Sequence, residues 1–412
     1  MTAIYTLTSP LHDESAVAAV TREFLDSLKL DFVLKGADYS DYGTADLSLI
    51  YVRTGGTEGV FKPLLPRLQA ATSQPVYLLT SGKSNSLAAS MEILSYLRQQ
   101  GIRGEIIHGT PQYIAARVHF LGQVEKARRN LAGQRLGVVG QPSDWLISSG
   151  VDYDVVRQKS GIELIDIPME ELLQTIGRFP ENETDARIAF GTPLFDASEP
   201  VRQAAPGAFR IYQALRDIVA RYQLNGLTLR CFDLLTAVRN TGCYALARLN
   251  AEGVTATCEG DIPALLTMAA ARALTGVSGF QANPSRIDPE SGEVLFAHCT
   301  IPLDMVTRYT FDTHFESGIG VGIRGHIQEG PVTVFKLAGD FSRHFAEEGT
   351  LLRNQSQPDL CRTQVVLRLP STDYFFRDPI GNHHVILPGH HKKLIDALFA
   401  RTARPSVKLN AE

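Results

Sequence analysis

Apolar positions in the first third of the chain fall into short unbroken runs alternating with longer stripes. Leu47–Val52 (L-S-L-I-Y-V) reads as a buried strand, followed by the glycine-rich loop R-T-G-G-T-E-G. A helix through Phe61, Leu64, Leu65 and Leu68 comes next, then a strand over Val76–Leu79. The spacing of Leu87, Met91, Leu94 and Leu97 predicts a helix over 84–100, stopped by Gly101. A short strand at 105–108 leads to a long helix over 111–130. This alternation predicts an open parallel sheet with helices on both faces.

The pattern starts again at Arg135, where R-L-G-V-V is a strand and G-Q-P-S-D-W the loop at its C-terminal end. A helix carrying Val155 and Val156 ends at Gly161, and Ile162–Ile167 is the next strand. A helix over 200–223 and an Asn225-Gly226 turn lead into L-T-L-R-C-F-D-L-L, read as a further strand, and then a helix with Cys243 and Leu246. After about Ser278 the texture changes to short segments such as E-V-L-F-A-H-C-T, G-V-G-I-R-G-H-I, P-V-T-V-F-K-L and Q-V-V-L-R-L, broken by Gly, Pro, Asp and Asn. Such spacing predicts antiparallel sheet or barrel. A last helix over 392–401 closes the chain, with a frayed tail after Arg404. The expected class is therefore α/β: two doubly wound parallel-sheet domains of flavodoxin or Rossmann type, residues 1–133 and 134–277, then a β-rich, barrel-like domain over 278–412.

Between Gly253 and Gly276 the pattern is most specific. Val254–Cys258 suits a buried strand, Glu259 stands at its end beside Gly260, and Asp261 is placed to cap a helix with Pro263 in its first turn. That helix is apolar on nearly every face, so it belongs in a core. A carboxylate at such a junction needs a partner, because burying a lone charge is costly.

Composition narrows the field. Of 412 residues, 44% are hydrophobic and 20% charged, enough to build several cores. A net charge of −4 gives no reason to expect nucleic acid or an anionic membrane as partner. The N-terminal residues lack the features of a signal peptide, and no apolar run approaches the roughly 18 residues of a membrane span, so a cytoplasmic location is expected. Five cysteines without C-x-x-C spacing indicate neither a disulfide framework nor a zinc–thiolate site. Two phosphate-loop look-alikes, S-G-K-S at 81–84 and the loop at 53–59, miss the required glycine positions. Thr57 and Glu58 in that loop, with Gln141, Asp144 and Trp145 in the later one, remain candidates for lining a small-molecule cleft, since open sheets bind ligands at strand C-terminal ends.

Histidines concentrate in the last third: His298, His314, His326, His344, His383, His384, His390 and His391. His298 ends an apolar strand and His383-His384 begins another, and an imidazole embedded in such strands needs a partner. A divalent metal held by Glu259 and these imidazoles would satisfy all of them at once. His390 and His391 read as surface residues.

C-E-G-D at 258–261 before an alanine-rich helix, A-H-C at 297–299 and N-H-H at 382–384 together resemble the L-fucose isomerase and L-arabinose isomerase superfamily, especially its shorter fucose-isomerase-like members. The resemblance implies a metal-dependent aldose–ketose isomerase working through a cis-enediol on a sugar or sugar derivative, with Mn2+ as the usual metal and a homo-oligomer, trimer or hexamer, as the assembly. It implies Glu259 as metal ligand and proton carrier, His298 as ligand, and one of His383 and His384 as the C-terminal ligand. The second acidic ligand falls at Asn283, in F-Q-A-N-P-S-R-I-D, which offers a carbonyl oxygen but no base; Asp288, with that stretch a loop folding back, or Asp261 is the carboxylate that would replace it. Arg286, His314, Glu316 and Arg324 are candidates for recognising sugar hydroxyls or an anionic group. If Asn283 removes catalysis, the scaffold would serve as a sugar-binding or regulatory protein; an epimerase or lyase would reuse the same enediolate.

Overall fold

A computed structural model describes residues 1–400. The expected tail after Arg404 and the last residue assigned to the final helix, Arg401, lie outside the described residues; that helix runs over Lys392–Phe399. The chain divides into two compact units, Met1–Arg129 and Asn130–Phe399.

The first unit is built on five parallel strands in the order Phe32–Gly36, Thr2–Leu7, Leu47–Val52, Val76–Thr80, Gly104–Ile107. Successive side chains point to opposite faces of a strand. Tyr5, Ile50, Val52 and Leu78 therefore fill one core, while Ile4, Leu49, Tyr51 and Leu79 fill another. Covering both faces is what makes L-S-L-I-Y-V buried at every position. The helix expected from 84 begins at Ser86 instead, because Gly82, Ser84 and Asn85 take left-handed backbone angles around a short 3-10 turn. Thr57 precedes the helix Glu58–Ala71, buried and donating its hydroxyl to the Thr54 carbonyl, and Glu58 opens that helix half-buried.

The second unit holds a four-stranded parallel sheet, ordered Glu163–Ile167, Arg135–Val139, Gly226–Leu229, Thr255–Cys258. It also holds a closed six-stranded antiparallel barrel. Around the barrel run Phe280–Asp288, Glu293–His298, Thr363–Arg368, His344–Gln355, Gly330–Leu337 and His384–Pro388. A separate ribbon pairs Val306–Asp312 with Gly322–Ile327. Two readings need correction. The strand expected through Leu235 stops at Leu229, since Arg230 turns aside to bond the Pro142 carbonyl and the Asp144 carboxylate, and Asp233–Ala237 is helical. F-Q-A-N-P-S-R-I-D is a barrel strand and not a loop. Its proline is tolerated because the pairing register slips between Pro284 and Arg286.

Sheet and barrel share one apolar core, with Leu229, Leu246, Phe280, Phe296, Val334 and Ile386 among its members. The helix Ile262–Thr275 is buried without a break from Ile262 to Ala271 and packs on strands of both the sheet and the barrel. No helix of the described residues is long and apolar enough to cross a membrane.

One hydrogen bond ties that helix to the barrel: the Leu337 N–H donates to Thr267 Oγ1, 3.0 Å away, while the hydroxyl donates to the Pro263 carbonyl. Thr267→Val keeps the volume but strands the Leu337 donor in the core, and should cost about 1–3 kcal/mol in urea unfolding. A loss within experimental error of zero would show that the bond is dispensable.

Candidate active site

Glu259 leaves the strand Thr255–Cys258 with φ +66°, a left-handed angle that a side-chain-bearing residue adopts only at some cost. Gly260 follows at φ +68°, and Asp261 then caps the helix, its Oδ1 accepting the Ala264 N–H at 2.8 Å. Three backbone bonds hold this hairpin-tight junction: Ser143 N–H to the Glu259 carbonyl, Gly260 N–H to the Leu229 carbonyl and Asp261 N–H to the Cys258 carbonyl. Gln281 supports it from the barrel, its Oε1 accepting the Cys258 N–H at 2.8 Å.

The Glu259 carboxylate is 9% exposed overall and is held from three sides. The Trp145 indole N–H donates to Oε2 at 2.7 Å. Oε1 faces His298 Nε2 at 3.7 Å and His383 Nε2 at 3.3 Å. Both imidazoles are buried and oriented from behind. His298 Nδ1 lies 2.6 Å from Thr300 Oγ1, and His383 Nδ1 lies 2.8 Å from Asp261 Oδ2. His383 Nε2 is buried with no hydrogen-bond partner.

Electrostatics follow from this packing. Burial raises the Glu259 carboxyl, but the His298 and His383 imidazoles outweigh it and hold the group well below the usual carboxylate range. Burial likewise opposes ionisation of Asp261, which Lys336 and then His383 overcome, leaving it at about 2. For His383 burial disfavours the cation, yet Asp261 and Glu259 lift it to about 9.

This geometry suits a divalent cation. Donors 2.0–2.2 Å from a shared ion lie about 3.0–3.5 Å apart at tetrahedral or octahedral angles. Glu259, His298 and His383 bring one oxygen and two nitrogens within 4.8 Å of one another. The orphaned Nε2 of His383 would offer its lone pair once a cation displaced its proton, and each imidazole has an anchor on its other nitrogen, as metal-binding histidines generally do.

The other expected residues are dispersed. His384 points away from this group: buried, bonded to Tyr374 and the Asn382 carbonyl, and pushed down to about 3 by burial and Lys336. Adjacent residues on a strand face opposite sides, so only one of the pair can meet Glu259. Asn283 lies half-buried in the strand between the one ended by His298 and the one that His383 leads into, accepting a hydrogen bond from Asn382 at 3.2 Å. Asp288 does not fold back to it. It sits exposed at the far end of the same extended strand, roughly 17 Å along the chain at strand rise, where it caps the turn through Ser291 and Glu290. Asp261 is fully buried behind His383, so it orients an imidazole and does not reach a substrate. Arg286 is exposed and paired with Asp359; Glu316 is exposed; Arg324 is bonded to Asp312. Thr57 and Glu58 belong to the first unit. His314 is buried, its pKa lowered by burial, and its ring meets Phe232 edge-on, which in turn meets Trp145. Phe232, Gln281, Thr300 and Lys336 were not foreseen; the mixed polarity of G-F-Q-A would have exposed Gln281 had that stretch been read as a strand. All five cysteines are free thiols, four of them buried.

No family model matches the chain. It is similar to a sugar isomerase. That relative is the sulfoquinovose isomerase of Clostridium sp. (strain MSTE9), 24% identical over 281 residues, 67% of this chain. The match spans 60% of that protein's own length.

Gly260 is the site's tightest point: a Cβ there would lie 2.7 Å from the Gln141 carbonyl oxygen and 2.8 Å from Pro142 Cα. Gly260→Ala should displace the Gln141–Trp145 loop and cost about 1–3 kcal/mol. Trp145 is the chain's single tryptophan, so its emission reports the displacement directly. Unchanged emission together with unchanged stability would contradict this picture of the junction.

Proposed function

We propose that the protein is an aldose–ketose isomerase acting on a sugar through a cis-enediol, with Glu259 as proton carrier. The observation that carries this reading is a single buried carboxylate facing two anchored imidazoles, in a chain whose curated relative is a sugar isomerase. Held below the usual range, Glu259 is ionised at neutral pH, the form that accepts a proton from the carbon beside a carbonyl. A cis-enediol keeps C1 and C2 on the same side of one carboxylate, so Glu259 can take the C2 proton and return it to C1. The hydroxyl proton moves in the same sense, from O2 to O1, so the aldose becomes the ketose with no net change in protons. Asn283 cannot share the base role, and in this reading it anchors a sugar hydroxyl.

Glu259, His298 and His383 would hold a divalent ion, Mn2+ in this proposal, whose charge stabilises the developing enediolate. Trp145 keeps Oε2 fixed, and the edge formed by Trp145, Phe232 and His314 offers a sugar one apolar wall and one neutral imidazole.

The test is conversion in deuterated water with Mn2+, beginning with sulfoquinovose, a sulfonated aldohexose chosen on the strength of the relative, and extending to neutral aldoses. Ketose carrying deuterium from solvent is expected, and Glu259→Gln should lower the rate by about 10²–10⁴-fold without unfolding the protein. Exchange accompanied by inversion or elimination would favour an epimerase or lyase, and binding with no exchange a sugar-binding protein. Near-normal turnover by Glu259→Gln would rule out the proton-carrier role.

A further inference from the structure

Lys336 stands where the pattern of its strand calls for an apolar side chain. Val332 and Val334, four and two positions earlier in Gly330–Leu337, belong to the core, and alternation directs Lys336 to the same face. Its side chain is only 1% exposed, and its Nζ has no hydrogen-bond partner. An unbonded buried ammonium costs stability and contributes nothing to packing that a leucine would not supply. A rule broken at such cost points to function.

Opposite the ammonium lies Asp261, whose Oδ2 is 3.7 Å away, near enough for charge attraction but too far for a hydrogen bond. The same oxygen meets His383 Nδ1 at 2.8 Å, and the other takes the Ala264 N–H. Beyond the ring, His383 Nε2 faces Glu259 Oε1 at 3.3 Å. Gly381, two residues before His383, lies beside the lysine: a Cβ there would make ordinary contact with Cε and Nζ at 3.9 Å. The lysine thus lies beneath the turn that delivers His383, with both partners of its charge relay fully buried.

We propose that Lys336 is a positioning residue for the active site: its ammonium fixes the Asp261 carboxylate, and that carboxylate fixes the His383 ring with Nε2 toward Glu259. The assignment rests on the reading of Glu259, His298 and His383 as one centre. A carboxylate with no exposure keeps one orientation only while its charge is balanced; the helix N-terminus supplies a partial charge, His383 a full one only while protonated, and Lys336 one that does not depend on what Nε2 binds. Removing the ammonium frees Asp261 to turn toward the cap, and the imidazole loses its anchor.

Two readouts on the full-length protein test this, neither of them turnover. The first is metal-free. The His383 Nδ1–H held by Asp261 should give a far-downfield proton resonance, assigned by its loss in Asp261→Asn. It should be lost or broadened in Lys336→Met, and in Lys336→Gln should the methionine variant fail to fold by circular dichroism. The second is Co2+ binding followed by visible absorption. Lys336→Met should weaken affinity by about tenfold or more and alter the bands, and the double variant with Asp261→Asn should bind no more weakly than Asp261→Asn alone, because the lysine acts only through the aspartate. An intact resonance in folded Lys336→Met, or losses that multiply in the double variant, would overturn the proposal. If the unsubstituted protein binds no Co2+ while the resonance responds as expected, the metal reading fails and the positioning role stands.

Discussion

A carboxylate taken out of water must be compensated, and the second unit is arranged around that requirement at Glu259. The strand Thr255–Cys258 is followed by two left-handed residues, Glu259 and Gly260, and the Glu259 side chain is left 12% exposed. An isolated charge there would cost several kcal/mol. Trp145 answers one oxygen, and His298 and His383 face the other. Each imidazole then needs its own support, which Thr300 and Asp261 give, and Asp261 in turn faces Lys336. Need for compensation propagates outward until it meets the apolar core.

Pairing sheet with barrel is what makes the arrangement possible. Glu259 and Asp261 come from the junction between a parallel strand and a buried helix, His298 from the end of one barrel strand and His383 from the residue before another, the two strands flanking the one that carries Asn283. Neither element alone could surround the carboxylate. The helix Ile262–Thr275, anchored to the barrel through Thr267, fixes the distance between them. The Trp145 side is partly open, that residue being 50% exposed, so in the proposed function a sugar would approach along the Trp145–Phe232–His314 edge.

Much of this was legible in the residues. Cys258–Gly276 reads as strand end, junction, cap and buried helix, and the structure has those elements at Thr255–Cys258, Asp261 and Ile262–Thr275. The two-sheet and barrel architecture followed from the change in hydrophobic period after Ser278. What could not be read was direction. His383 and His384 are equivalent until the strand's facing is known, and Asp288 looked available only while its stretch was taken for a loop. Lys336 went unread because a lysine is ordinarily a surface residue, although alternation with Val332 and Val334 places it on the core face. Gln281 acts through a backbone contact to Cys258 in a different element, and Thr300 through His298 two residues earlier, a contact that depends on how the chain turns after its strand.

The central claim is that Glu259, His298 and His383 form one cation centre with Trp145 bonded to it. Trp145 is the chain's only tryptophan, so Mn2+ titration followed by intrinsic emission reads the centre without any substrate. Saturable quenching is expected in the unsubstituted protein, and its loss in both His298→Ala and His383→Ala, with His384→Ala folded and still responsive. Emission indifferent to Mn2+, or quenching that survives removal of both imidazoles, would contradict the account.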